Sequence, residues 1–481
     1  MSVDVFIGRK RELKSLNELA KKKSASLVVI RGRRRIGKSR LIQEFGKSKI
    51  FFHFSGIPAE EKTTAQDQRD IFSLQLGKKL ALQGISSHDW STLFSLLAKE
   101  AAKGEVVILL DEISWMGSKD PHFLGKLKNA WDLEFKNNPK LILILCGSVS
   151  TWIEKNIISS TAFFGRISLF LKLEELPLEE SYEFLRRCGF CGGQYEAFKL
   201  LSVMGGIPWY LEQVKGGGSA DEIIKGLCFK KEGILFNDFE SIFHDLFEKR
   251  SHIYRPIVEM LASGPLDFGG LCQSLNYSKS GTLSQYLDDL ITSGFLTRDH
   301  TWSIKSGEES KLSKYRLSDN YLRFYLKYIY PNRNKINRES FKEISLTALP
   351  GWTSIMGYQF ENLVLKNRFK IWELLGIRPE DIISDNPYFQ RATKGKKGCQ
   401  IDYLIQTRYH TLFACEIKFS LHPVSSKVVS DVKKKIESLP LPKRFSCWPV
   451  LIHVNGVSDL IRDVGFFSEI IDFSQFLNLS R

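Results

Sequence analysis

The residues whose types and spacing could do chemistry begin close to the N-terminus, in Gly32-Arg33-Arg34-Arg35-Ile36-Gly37-Lys38-Ser39. This is a complete G-x-x-x-x-G-K-[ST] pattern, set between the β-rich run Leu27–Arg31 and a helical stretch, Ser39–Phe45. Glycines let the backbone wrap phosphates, N–H groups at a helix start bind anions, Lys38 reaches the β- and γ-phosphates, and Ser39 coordinates Mg²⁺. Three consecutive arginines, Arg33 to Arg35, and Ile36 fill the variable positions, and Arg40 follows. Residues 32–40 are therefore the candidate phosphate-binding set.

A second group belongs to the same chemistry. Val106-Val-Ile-Leu-Leu110 is a buried strand ending in Asp111-Glu112. Asp111 would hold Mg²⁺ and Glu112 would polarise an attacking water, unless the two carboxylates are only a solvated strand end. Leu141–Leu145 leads into Cys146-Gly147-Ser148, which brings a hydroxyl to the same sheet edge, where it would sense the γ-phosphate. Arg166, in Phe163-Phe-Gly-Arg-Ile, is either an arginine finger acting on a second copy or an ordinary surface arginine.

A third group lies far downstream: Glu361, Asp402, Glu416 and Lys418. Strand alternation puts Glu416 and Lys418 on one face, and a hairpin from Ile401 to Ile417 brings Asp402 beside them. Such residues bind Mg²⁺ through carboxylates while Lys418 orients a water, or they form a salt-bridged pair of strand ends; the spacing alone allows both. Lys394, Lys396, Lys397 and Lys433–Lys435 flank this group as candidate contacts to DNA phosphates or as solvated faces.

The elements that must position these residues follow from periodicity. Over the first 150 residues, the apolar runs Leu27–Ile30, Ile50–Phe54, Val106–Leu110 and Leu141–Leu145 alternate with amphipathic helices, which predicts a parallel sheet flanked by helices. The sequence predicts a core over residues 1–172 and a helical lid over 173–249. Three short helices and a hairpin over 250–318 have the order of a winged helix, with a recognition helix starting at Ser278. A linking helix spans 319–340. A smaller α/β unit spans 341–481, with a helix over Gly357–Trp372, strands Ile401–Gln406, Leu412–Ile417 and Val450–His453, and a helix over Val428–Leu439.

Six segments in order, Phe6-Ile-Gly8-Arg9 with Glu12-Leu13, the phosphate loop, Asp111-Glu112, Gly147-Ser148, Gly165-Arg166 and Gly205-Gly206-Ile207-Pro208, resemble the archaeal-type ATPases, relatives of the AAA+ and STAND NTPases. The resemblance implies an ATP-preferring site in which Gly8, Arg9 and Pro208 flank the adenine and Ser148 is the γ-phosphate sensor. The C-terminal part, with its lead-in Tyr315-Arg-Leu-Ser-Asp319-Asn-Tyr-Leu-Arg323, resembles the domain that follows this ATPase type, which is similar to the restriction-endonuclease-like PD-(D/E)XK fold. By position that resemblance makes Glu361, Asp402 and Glu416 metal ligands and Lys418 catalytic, with Ile401 in place of the motif's proline.

Composition bounds the whole. With 481 residues and 43% hydrophobic, the chain is long enough for about three domains, each burying a core. Its apolar runs have strand length, and it opens without a signal-peptide pattern, so a cytoplasmic, membrane-free protein is expected, with its eight scattered cysteines reduced. The net charge of +15 is uneven: +11 in residues 1–50, −1 in 51–340 and +5 in 341–481. Taken together, these readings predict a DNA-associated, Mg²⁺-dependent ATPase, in one copy or as a homo-oligomer. The alternative is a nucleotide-dependent switch whose C-terminal domain binds a partner without cutting.

Overall fold

The computed structural model describes residues 6–477 except 83, 149, 240–250, 278–280, 342–343 and 393–396. Lys394, Lys396 and the Ser278 start of the expected recognition helix lie outside the described residues. The chain forms two compact units, residues 1–175 and 176–481.

In the first unit the four apolar runs become β1 (Ser26–Arg31), β2 (Ile50–Ser55), β3 (Val106–Asp111) and β4 (Leu141–Gly147), and a fifth strand, β5 (Ile167–Lys172), follows. The order is β2-β3-β4-β1-β5 and every ladder is parallel. All residues of β3 and β4 are buried, which explains their unbroken runs of Val, Ile and Leu: helices cover both faces of a parallel sheet. β5 alternates half-buried and exposed residues, as an edge strand does, so its apolar signal is weaker. One face is sealed by an aromatic cluster in which Trp90 stacks on Phe94 at 5.4 Å and meets Phe72 and Phe123 edge-on. The C-terminal ends of β1, β3 and β4 share one edge, so the phosphate loop, Asp111 and Ser148 emerge together.

The second unit opens with the helices Leu178–Arg187 and Gln194–Met204. Gly205, at φ 63°, ends the latter in a backbone conformation that favours glycine. The helices Ser251–Leu261, Phe268–Leu275 and Gly281–Thr292 precede an antiparallel hairpin, β7 (Leu296–Trp302) and β8 (Glu309–Leu317). The two-residue β6 (Leu266–Asp267) pairs with β8 to complete a three-stranded sheet.

The C-terminal sheet has the order β13-β12-β11-β10-β9, from β9 (Ile382–Gln390), β10 (Cys399–Thr407), β11 (Thr411–Phe419), β12 (Ser446–Val454) and β13 (Glu469–Asp472). The first three strands are antiparallel, and β11, β12 and β13 run parallel. β9 and β13 were not legible in the sequence. β9 reads Ile-Ile-Ser-Asp-Asn-Pro-Tyr-Phe-Gln, and its Pro387 is tolerated because the strand lies at the sheet edge. The single helix expected over 357–372 is instead two, Trp352–Lys366 and Arg368–Leu374. The break falls at Asn367, whose buried side chain accepts the Leu178 N–H at 3.1 Å.

The hairpin is fastened to this sheet and to the helix Trp352–Lys366 rather than standing apart. Trp302 Nε1 donates to Gln406 Oε1 at 2.6 Å, Gln406 Nε2 returns a bond to the Ile304 carbonyl at 3.0 Å, and Arg316 pairs with Asp299 and donates to Asn362. Asn362 in turn donates to Asn320 Oδ1 at 2.9 Å. Residues read as three sequence segments thus share one buried polar network.

Candidate nucleotide site and C-terminal charged cluster

The phosphate loop is built by two backbone requirements. Gly37 caps the helix Lys38–Gly46 at φ 86°, and a Cβ at Gly32 would lie 2.7 Å from the Leu173 carbonyl oxygen. The buried Lys38 ammonium donates to the Gly32 carbonyl at 3.0 Å, the Arg33 carbonyl at 3.1 Å and Ser148 Oγ at 2.8 Å, so it lies across the loop. Ser39 Oγ donates to Asp111 Oδ2 at 2.6 Å. Burial alone would raise the Asp111 carboxyl, but contact with His53 and Ser39 and the charge of Lys38 outweigh it and hold the group down at about 2. Asp111 is therefore an anion at any physiological pH.

Glu112 takes a left-handed backbone, φ 49°, which turns its side chain back to the same edge. Its Oε1 accepts from Ser148 Oγ at 2.9 Å and its Oε2 from the Ser148 N–H at 3.2 Å. Ser148 thus stands between the loop lysine and the carboxylate. The structure brings Lys38, Ser39, Asp111, Glu112 and Ser148 into one site.

The remaining residues of the set divide by role. Ile36 is fully buried, so its contribution to the loop is its backbone, while its side chain belongs to the core. Arg34 lies over the Trp115 ring at 5.2 Å, Arg33 is buried, Arg35 is half-buried at φ 69°, and Arg40 is exposed on the helix that follows. Arg9 follows the buried Gly8 and braces the loop from behind: its Nη2 donates to the Ile36 carbonyl at 2.8 Å and the Glu174 carbonyl at 2.6 Å. Pro208 belongs to the second unit, where it opens the helix Pro208–Glu212.

Arg166 does not reach the phosphate loop of its own chain. It precedes β5, whose Ile167 is level with Leu27 at the start of β1, whereas the loop follows Arg31 at the end of β1. Five strand residues at about 3.3 Å each separate the two edges by roughly 16 Å. Instead, Arg166 forms a two-point pair with Asp132, Nε to Oδ1 at 3.0 Å and Nη2 to Oδ2 at 2.9 Å. Its bonds hold the Asp132 carboxyl at about 2.

His53 was missed by sequence reasoning. Its Nε2 lies 3.7 Å from Asp111 Oδ2. The register Ser55 to Asp111 in the β2–β3 ladder is what carries His53, two residues earlier on the same strand face, to the carboxylate. A single sequence holds no mark of that pairing.

In the C-terminal sheet, one residue beyond the Tyr403–Cys415 pair sets Asp402 opposite Glu416. Asp402 Oδ2 accepts the Ile417 N–H at 3.0 Å, and Lys418 Nζ donates to Glu416 Oε1 at 2.7 Å. Glu361, on the helix Trp352–Lys366, joins them: burial and the neighbouring Asp402 charge raise it to about 8, with Arg316, Arg323 and Lys418 pulling it back. Burial and Glu416 likewise raise Asp402 above the ordinary aspartate range. The four expected residues do come together.

A fifth residue joins the set expected there to hold metal. Lys435, on the helix Lys427–Glu437, donates to Glu416 Oε2 at 2.5 Å and to Asp402 Oδ1 at 3.4 Å. Among the described residues, no group of three His, Cys, Asp or Glu side chains meets to hold a metal. Asp402 and Glu416 are already engaged by ammonium groups, so Glu361, Asp402 and Glu416 as they stand do not fit a divalent ion. Lys433 and Lys434 are exposed, as read from the sequence, but Lys435 is not. Val428 and Val432 are buried on the same helix, and Lys435, three residues on from Val432, follows them inward.

At the nucleotide edge the donor set does fit. Mg²⁺ takes one or two protein ligands and completes its shell with water and phosphate oxygens, which Ser39 and an ionised Asp111 satisfy.

Residues 6–214 match a family model described as an ATPase domain predominantly from Archaea. An uncharacterized protein of Methanocaldococcus jannaschii is 26% identical over 361 residues, 75% of this chain and 76% of its own. A Walker-type ATPase of Pyrococcus abyssi covers 67% of this chain and 96% of its own, at 19% identity and a TM-score of 0.50, a likeness of fold. The ORC2 protein of Aeropyrum pernix covers 69% of this chain and 97% of its own, at 15% identity and a TM-score of 0.40. Residues 6–214 thus resemble an archaeal-type ATPase domain, and the fold around the phosphate loop is that of a nucleotide-binding module.

Proposed function

We propose that this protein is a Mg²⁺-dependent ATPase whose nucleotide cycle controls how its C-terminal half engages DNA. The observation that carries the ATPase reading is the continuous contact Lys38–Ser148–Glu112 beside the Ser39–Asp111 pair. Mg²⁺, when bound, supplies positive charge to the phosphates undergoing transfer. Lys38 exchanges one of its three hydrogen bonds for a phosphate oxygen, Ser39 and Asp111 position the ion, and Glu112 orients the attacking water once it leaves Ser148. Arg166 acts on the site of a second copy, because it sits at the wrong edge of its own sheet.

The DNA part rests on charge and on element order. Three helices followed by a hairpin over residues 251–317 support reading a winged helix there, and the C-terminal mixed sheet with its acid cluster supports reading a nuclease-like domain. The excess of +5 in residues 341–481, including exposed Lys433 and Lys434, suits a polyanion. The reading in which the C-terminal domain binds without cutting is favoured over cleavage by Lys435, which engages both acids of the cluster. The test is binding of a fluorescent duplex to the full chain at several salt concentrations, with and without ATP. Affinity that falls steeply with salt and changes with nucleotide is expected; no binding at low salt removes DNA from the account.

A further inference from the structure

We infer that Lys435 is the built-in cation of the C-terminal cluster, closing Asp402 and Glu416 to divalent metal. The inference rests on reading that cluster as the polar centre of the C-terminal domain. Every carboxylate oxygen of the two acids already accepts a hydrogen bond. Asp402 Oδ1 takes Lys435, Asp402 Oδ2 takes the Ile417 N–H, Glu416 Oε1 takes Lys418 and Glu416 Oε2 takes Lys435. A magnesium ion needs oxygens at about 2.0–2.1 Å in near-octahedral array, so it must take its place from an ammonium that bridges the same two groups.

Lys435 is not a loose surface side chain that wandered in. Its helix is seated by Val428 and Val432 in an apolar cluster with Leu451 and Ile461. Its own carbonyl accepts from Cys399 Sγ at 3.2 Å. Its side chain is 28% exposed, against 3% for Glu416. The stem therefore leaves a fixed backbone position, and the ammonium is delivered to the acids by the fold. Two carboxylates against two ammoniums also leave the pair close to neutral, so a phosphodiester meets little repulsion there even without metal. The chemistry is that of a site that receives a polyanion and lacks a metal to cut it.

The test is Mn²⁺ binding to the nucleotide-free full chain, read by electron paramagnetic resonance, for wild type, Lys435→Gln, Lys435→Met, and each combined with Asp402→Asn. Any Mn²⁺ held at the phosphate-loop edge is common to all and drops out of the comparison. Lys435→Gln is expected to gain one site at least about tenfold tighter than any that wild type offers at this cluster, lost again with Asp402→Asn. Lys435→Met keeps the aliphatic stem and is expected to do the same should the glutamine variant fold poorly. Two results overturn the inference: a wild-type Mn²⁺ site that Asp402→Asn removes, or no site gained in folded Lys435 variants. In wild type alone, acylation followed by mass spectrometry should find Lys435 protected relative to Lys433 and Lys434, with Mn²⁺ making no difference; a Lys435 that Mn²⁺ exposes also refutes it. Neither measurement contains DNA, so a failed DNA-binding experiment leaves this result standing, and the reverse.

Discussion

Ser148 is the residue on which the nucleotide site turns, since one hydroxyl accepts from Lys38 and donates to Glu112. Glu112→Gln keeps the shape but removes the base, so ATP still binds while turnover falls by roughly 10²–10⁴-fold, as a single-turnover assay would register. Ser148→Ala should cost turnover more than ATP affinity, because Lys38 keeps its two carbonyl partners in the loop. The Arg166–Asp132 pair carries a pH signature. Asp132 is held at about 2, below its ordinary value, so its contribution is full above pH ~4 and is lost as pH falls toward 2. The melting-temperature deficit of Asp132→Asn relative to wild type should accordingly shrink from pH 5 to pH 2.5. A deficit that stays constant would mean that the charge of the pair is not what stabilises.

At the scale of elements, what was legible and what was not divides along physical lines. The phosphate loop, Asp111 and the fully buried strands β3 and β4 were readable because local sequence decides them: glycine at a positive φ, an apolar run, a carboxylate at its end. Strand β9 and residues His53 and Lys435 were not, since each owes its place to a partner distant in sequence. The network joining the hairpin to the helix Trp352–Lys366 was hidden for another reason. Arg316, Asn320, Gln359 and Asn362 look like surface residues by type, yet all are buried. Arg316 meets Asp299 at 2.7 Å with both side chains under 8% exposed. Asp299→Ala leaves that guanidinium buried without its counter-charge, so urea titration should show a loss of about 3–5 kcal/mol. A loss under ~1 kcal/mol would place the pair at a solvated surface.

For the molecule as a whole, the charge of +15 resolves into parts with different duties. The excess of +11 in residues 1–50 belongs to the segment that holds the phosphate loop, and the +5 in residues 341–481 is the part on which the proposed DNA contact draws. No helix among the described residues is long and apolar enough to cross a membrane. If Arg166 acts on a second copy as proposed, ATP turnover per chain rises with protein concentration in wild type and stays flat in Arg166→Ala; the same concentration dependence in both would leave Arg166 to its pair with Asp132. The central claim, a nucleotide site coupled to DNA, is tested most directly by steady-state ATP hydrolysis with Mg²⁺ at low salt, with and without duplex DNA, in wild type and Lys38→Ala. Turnover that DNA changes in wild type, and that is absent from Lys38→Ala under both conditions, is the predicted result. Turnover indifferent to DNA, or surviving in Lys38→Ala, would contradict it.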